Sequence, residues 1–167
     1  MRTTIYLTGF MGAGKSVVGK ELARLLRRPF IDLDLSIENA AGSSVASLFA
    51  RRGEPAFREL ERKALLRAAR RPGVVVALGG GALLDPRNRA VVKKGLLVNL
   101  SCSRAELVRR LRPGRAARPL LAGGTLEARV GKLLVERRDA YAGADFSVST
   151  TRNPPKAAAM IIARRLP

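Results

Sequence analysis

Short apolar runs alternate with stretches in which apolar residues recur every three or four positions, from one end of the chain to the other. Residues 5–7 predict a strand. A glycine turn follows, then a helix over 15–27 that sets Val18, Leu22 and Leu25 on one face and ends before Pro29. Residues 30–33 predict a second strand. Two or three short helices come next: 36–41 backed by Gly42, 45–52 backed by Gly53, and one opened by Pro55 and closed by Pro72. The continuous run Val-Val-Val-Ala-Leu over 74–78 predicts a buried central strand. Asp85 and Pro86 cap a helix that stops at Gly95, and 96–100 predicts a fourth strand. Ser103 and Glu106 have the spacing of a capping box for a helix ending near Arg112. Residues 112–124 are rich in Gly, Pro and Arg without a period and read as a mobile loop. A helix over 125–141, a strand over 146–149 and a helix over 155–165 complete the pattern. Strands separated by helical crossovers predict a five-stranded parallel sheet with helices on both faces. With no repeat or linker, residues 1–167 form one doubly wound α/β domain.

The first turn carries chemistry. Gly9-Phe10-Met11-Gly12-Ala13-Gly14-Lys15-Ser16 fits GxxxxGK[ST] and lies between a predicted strand and a predicted helix, the context this motif needs. Its glycines let successive N–H groups turn toward phosphate oxygens, and the helix N-terminus adds positive potential. Lys15 reaches the phosphates, and Ser16 offers a hydroxyl to Mg²⁺. The pattern implies a nucleoside triphosphate.

Such a loop usually works with a carboxylate at the end of another strand. The buried run at 74–78 ends instead in Gly79-Gly80-Gly81, so the nearest candidates are Asp32 and Asp34, at the end of the second strand. Strand alternation sends both the same way, one toward Mg²⁺ and the other toward an acceptor hydroxyl. The triple glycine leaves bare backbone at the carboxyl end of a strand, where α/β ligands bind.

Composition narrows the chemistry further. The 167 residues include no His and a single Cys, which excludes Ser-His-Asp hydrolysis, histidine-ligated zinc, Cys₄ metal sites and intrachain disulfides. The net charge of +19 favours anionic ligands, but its 25 arginines are scattered and aromatics make up only 4%. No stacking platform for single-stranded nucleic acid is interleaved with them. The start shows no signal sequence and no apolar run is long enough to span a bilayer, so a cytoplasmic location is expected, with no nucleic-acid or membrane partner.

The loop at 9–16 now joins five further motifs. They are Asp32-x-Asp34-x-x-Ile37-Glu38, Gly53-Glu54-Pro55-Ala56-Phe57-Arg58-x-x-Glu61, Gly79-Gly80-Gly81, Arg118-Pro119-Leu120-Leu121 and Arg137-x-x-x-Tyr141. In this order and spacing the chain resembles the shikimate kinases over nearly its whole length. The resemblance implies a three-layer P-loop kinase fold similar to nucleoside monophosphate kinases, with a substrate-binding segment at about 33–61 and a lid at about 112–124. It implies transfer of the γ-phosphoryl of ATP to the 3-hydroxyl of shikimate, with Mg²⁺; separately, a monomer is expected. Lys15, Asp34 and Arg118 would be catalytic, with Asp34 as base. Gly12, Ala13, Gly14, Lys15, Ser16, Val17, Arg118 and Arg152 would hold ATP. Asp34, Arg58, Gly79, Gly80, Gly81 and Arg137 would hold shikimate, the two arginines on its carboxylate. Ser16 and Asp32 would face the metal. Arg109, Arg110 and Arg112 all qualify for an adenine contact. Taken alone, Arg58 reads as surface, Phe49 and Phe57 as pocket wall or core, and Tyr141 as structural. The rival readings are another small-molecule kinase such as a gluconate kinase, a nucleic-acid-binding P-loop protein, and a non-catalytic nucleotide module.

Overall fold

The computed structural model describes residues 3–166; Met1, Arg2 and Pro167, the ends of the expected domain, lie outside the described residues. The chain alternates strands β1 (Ile5–Thr8), β2 (Phe30–Asp32), β3 (Val75–Ala77), β4 (Leu96–Ser101) and β5 (Phe146–Ser149) with helices. The helices are α1 (Lys15–Leu26), α2 (Leu33–Ala41), α3 (Val45–Ala69), α4 (Pro86–Val92), α5 (Arg104–Leu111), α6 (Leu126–Ala142) and α7 (Pro155–Arg164). All pairings are parallel, in the order β2-β3-β1-β4-β5. Strand β1 lies in the middle, with Ile5 opposite Val75 on one side and Leu96 on the other.

Burial follows position in the sheet. Every residue of β1 and β3 is buried, because helices cover both faces, whereas edge strand β5 is exposed at alternate positions. Leu7, Val98, Leu100 and Val148 pack with α1, α5, α6 and α7 on one side. Tyr6, Val74, Val76 and Leu78 pack with α2, α3 and α4 on the other.

Three local readings are corrected. The second helix begins at Leu33 rather than Ser36, because the Asp32 side chain accepts from Asp34 N and Leu35 N and caps it. Asp34 therefore stands in the first turn of a helix, and strand alternation is not what brings it beside Asp32. The capping box is half-formed: Ser103 Oγ accepts from Glu106 N, but the Glu106 carboxylate binds Arg109 and Arg110 instead of returning to the cap. Residues 112–124 are not structureless. They form 3₁₀ turns at Arg112–Ala117 and Pro119–Leu121, and Leu121 is buried. The expected break at Gly53 is present as a kink (φ 74°, ψ 171°) within α3.

Candidate active site

The carboxyl ends of β1, β2 and β3 open onto a connected set of clefts. At the first of them Gly14, whose φ of 96° a larger residue resists, is the residue before α1, and no side chain caps the helix. Helices α2 to α6 are each capped by an Asp, Ser or Thr side chain. The free N–H groups at α1 are thus left for an anion. Helix α7 likewise starts without a side-chain cap, at Pro154.

These two helix starts border one cleft of about 510 Å³, lined by Gly12, Ala13, Gly14, Val17, Arg152 and Asn153. Of the three arginines open for an adenine contact, Arg110 lines this cleft and donates to Thr150 O at 2.7 Å. Arg109 and Arg112 are exposed and paired with Glu106 and Glu127. Thr150 was not singled out in the sequence. It is buried and donates to Ala13 O at 2.8 Å, which ties the loop to the end of β5.

A second cleft of about 330 Å³ continues from the first past Lys15, Ser16, Asp32 and Asp34. Lys15 Nζ donates to Gly9 O at 2.8 Å and Phe10 O at 3.0 Å, and burial pulls its pKa down to about 8. Ser16 Oγ donates to Asp32 Oδ2. Hydroxyl and carboxylate oxygens are hard donors suited to Mg²⁺, which takes few protein ligands and completes its shell with phosphates and water. Among the described residues no cluster of three or more acidic, His or Cys side chains forms a metal cage of its own.

The third cavity, of about 250 Å³, is made differently. Its walls carry Asp34, Arg58, Glu61, Arg118 and Arg137 together with the Gly79, Gly80 and Gly81 backbone. Met11, Asp34, Gly80 and Arg118 line both this cavity and the Lys15 cleft, so the two spaces meet there. The pKa of Asp34 is raised by burial, which the nearby Lys15 charge opposes. Arg58, which reads as surface in the sequence, is only 20% exposed. Its Nη1 donates to Glu61 Oε2 at 2.9 Å and its Nη2 to Glu54 Oε1 at 2.8 Å. Arg137 is 2% exposed and lies over the Phe10 ring, and its Nη1 has no hydrogen-bond partner. A Cβ on Gly81 would come within 2.6 Å of Arg58 Nη2, and one on Gly80 within 3.1 Å of Arg137 Nη1. Bare backbone is what lets both guanidinium groups approach.

Phe49 and Phe57 line the cavity and also pack on each other, with ring centroids 4.6 Å apart. Tyr141 Oη donates to Gly80 O at 2.6 Å and so anchors the triple glycine. Sequence reasoning missed Glu61 as a cavity residue. It is fully buried, and burial raises its pKa against the pull of Arg58. Its signal was present, since an acid three residues after Arg58 on a helix falls on the same face.

The profile of the family described as Shikimate kinase matches residues 11–166. A shikimate kinase of Synechococcus sp. (strain CC9902) is 40% identical over 164 residues, covering 98% of this chain and 86% of the relative. One of Geobacter sulfurreducens is 46% identical over 147 residues, covering 87% and 81%. Among solved structures, the shikimate kinase from Acinetobacter baumannii in complex with shikimate superposes with a TM-score of 0.92 at 33% identity, covering 100% of this chain and 97% of that one. A gluconokinase from Sinorhizobium meliloti reaches a TM-score of 0.62 at 20% identity, which extends the likeness of fold to other small-molecule kinases.

Proposed function

The chain belongs to the shikimate kinase family, and from that premise we propose how its own residues carry out the family reaction. It is an ATP-dependent kinase that phosphorylates the 3-hydroxyl of shikimate to give shikimate 3-phosphate and ADP. The observation that carries the acceptor assignment is Arg137: a buried guanidinium with an unpartnered nitrogen, facing a cavity sized for a small molecule. A buried cation without a partner is costly, and a planar carboxylate answers its fork. Arg58 joins it, although Glu61 and Glu54 already balance part of its charge.

Asp34 stands where acceptor cavity and phosphate cleft meet. There it accepts the proton of the shikimate hydroxyl as that oxygen bonds to the γ-phosphorus and the bond to the β–γ bridging oxygen breaks. Lys15, the loop amides and Arg118 hold the oxygens of the transferring group and the leaving diphosphate. Gly12, Ala13, Gly14 and Val17 cradle the phosphates, and Arg110 and Arg152 border the base. Ser16 and Asp32 would hold Mg²⁺, which when bound would neutralise charge on the phosphates. Residues 33–61 form the substrate-binding segment and 112–124 the lid that excludes water. The enzyme acts as a monomer in the cytoplasm. Among the described residues no helix is long and apolar enough to cross a membrane.

The test is ADP release from MgATP with shikimate, gluconate, nucleoside monophosphates or no acceptor. Shikimate-dependent turnover, abolished in Lys15→Ala and Asp34→Asn, is the expected result. Release indifferent to shikimate would remove the acceptor assignment and leave only the phosphate loop.

A further inference from the structure

The lid has two unlike halves. In Arg112–Ala117 no residue is buried. In Pro119–Leu121, Leu121 is fully buried in the core shared by β1, β4 and α5, and the turn is closed by Leu121 N to Arg118 O at 2.9 Å and Ala122 N to Pro119 O at 3.1 Å. The carbonyls of this second half are gripped by arginines. Arg115 Nε donates to Leu121 O at 3.3 Å. From outside the lid, in the first turns of α6, Arg129 places both Nε and Nη2 on Leu120 O, at 3.2 and 2.8 Å. Arg129 is half-buried and has no carboxylate partner among the ion pairs of the described residues. Its charge is therefore directed at one main-chain oxygen.

That oxygen matters for two neighbours. Leu120 lines the acceptor cavity, and Arg118, two residues earlier, is tied into the same turn through its carbonyl. Fixing Leu120 O sets the wall that closes over the acceptor and the backbone from which Arg118 reaches the phosphate cleft. The exposed first half is tied to this turn by Arg115 and by Arg118, whose Nη1 donates to Gly114 O at 2.7 Å.

We propose that Arg129 is a positioning residue for phosphoryl transfer: its two-nitrogen grip on the Leu120 carbonyl holds the docked half of the lid in register with the acceptor cavity. This inference rests on the shikimate kinase reading of that cavity. Arg129 touches no substrate in it and acts only through Leu120 and Arg118. A charge-assisted bond to a half-buried carbonyl is among the stronger hydrogen bonds, so its loss is measurable in kinetics.

The experiment compares Arg129→Met, which keeps the aliphatic stem and loses the donors, with Arg129→Lys, which keeps a charged donor. Shikimate 3-phosphate and ADP are quantified separately. In Arg129→Met the KM for shikimate is expected to rise about tenfold, and ADP to form in excess of phosphorylated acceptor, with the KM for ATP changed by less than about twofold. Arg129→Lys should recover most of both properties. Hydrogen exchange should show the Leu121 and Ala122 amides opening faster in Arg129→Met while β1 stays protected. An unchanged shikimate KM with an unchanged ADP-to-product ratio in Arg129→Met overturns the proposal, whatever happens to kcat or Tm. Failure of the underlying reading looks different, because the parent enzyme itself would then show no shikimate-dependent turnover.

Discussion

On the proposed assignment, the side that faces ATP offers mostly main chain and small residues, and the side that faces the acceptor offers charged side chains packed against one another. The nucleotide cleft is bounded by Gly12, Ala13, Gly14 and two helix starts that lack side-chain caps. The acceptor cavity holds Asp34, Glu61, Arg58, Arg118 and Arg137, with Glu61 and Arg137 almost without solvent exposure. Backbone amides bind any triphosphate and cannot be removed by substitution, so recognition there is robust and generic. Buried side-chain charges are specific, and each is sensitive to loss of its partner. On the proposed reading substrate identity resides in the second region, and substitutions should separate the two.

The largest effect is expected where the regions meet. Asp34→Asn should lower kcat about 10³-fold with little change in ATP affinity, as loss of a general base does, and product assays under saturation would measure it. The raised pKa of Asp34 adds a sign. The base must be ionised, so kcat/KM should rise with pH along an acid limb lying above the ordinary carboxylate range. Arg118→Ala should lower kcat about 10²-fold and raise the shikimate KM far less, because its contact strengthens as charge develops on the transferring group. An unchanged kcat would remove the lid arginine from the mechanism.

A smaller effect isolates the nucleotide side. Lys15 in the free protein has a pKa pulled down to about 8 by burial, and only its ammonium form holds phosphate. ATP binding draws a proton onto it, so affinity should fall as pH rises through that value, by about tenfold between pH 7 and pH 9 in calorimetry. Shikimate binding alone should not follow this curve. The smallest effect, less than about twofold in any constant, is expected for Val17→Ala. Val17 borders both clefts on this side, but its side chain is 51% exposed and small, so its truncation removes little.

The sheet, its parallel sense and nearly every helix were readable from hydrophobic period, because buried strands and amphipathic helices leave strong local patterns. The phosphate loop was readable because its backbone shape demands glycine at fixed offsets. The acceptor side was harder. Arg58 on its own helix looks like a surface residue, since nothing local shows that Gly81 lies against it from another element. Asp34 comes beside Asp32 for a different reason than the alternation suggested, because capping by Asp32 starts a helix where alternation suggested strand. The buried turn at Pro119–Leu121 escaped notice because Leu121 is held by contacts distant in sequence and by arginines gripping carbonyls, which leave no period. Motif order singled out these residues, and packing shows what each of them touches.

The most direct test of side-chain recognition at the acceptor is kcat/KM for shikimate against its methyl ester, in the parent enzyme and in Arg137→Ala. The parent should prefer the free acid by about 10²-fold, as expected when a buried guanidinium loses its anionic partner, and the preference should shrink to within a few-fold in Arg137→Ala. Equal use of acid and ester by the parent, or a preference undiminished by loss of Arg137, would contradict the account.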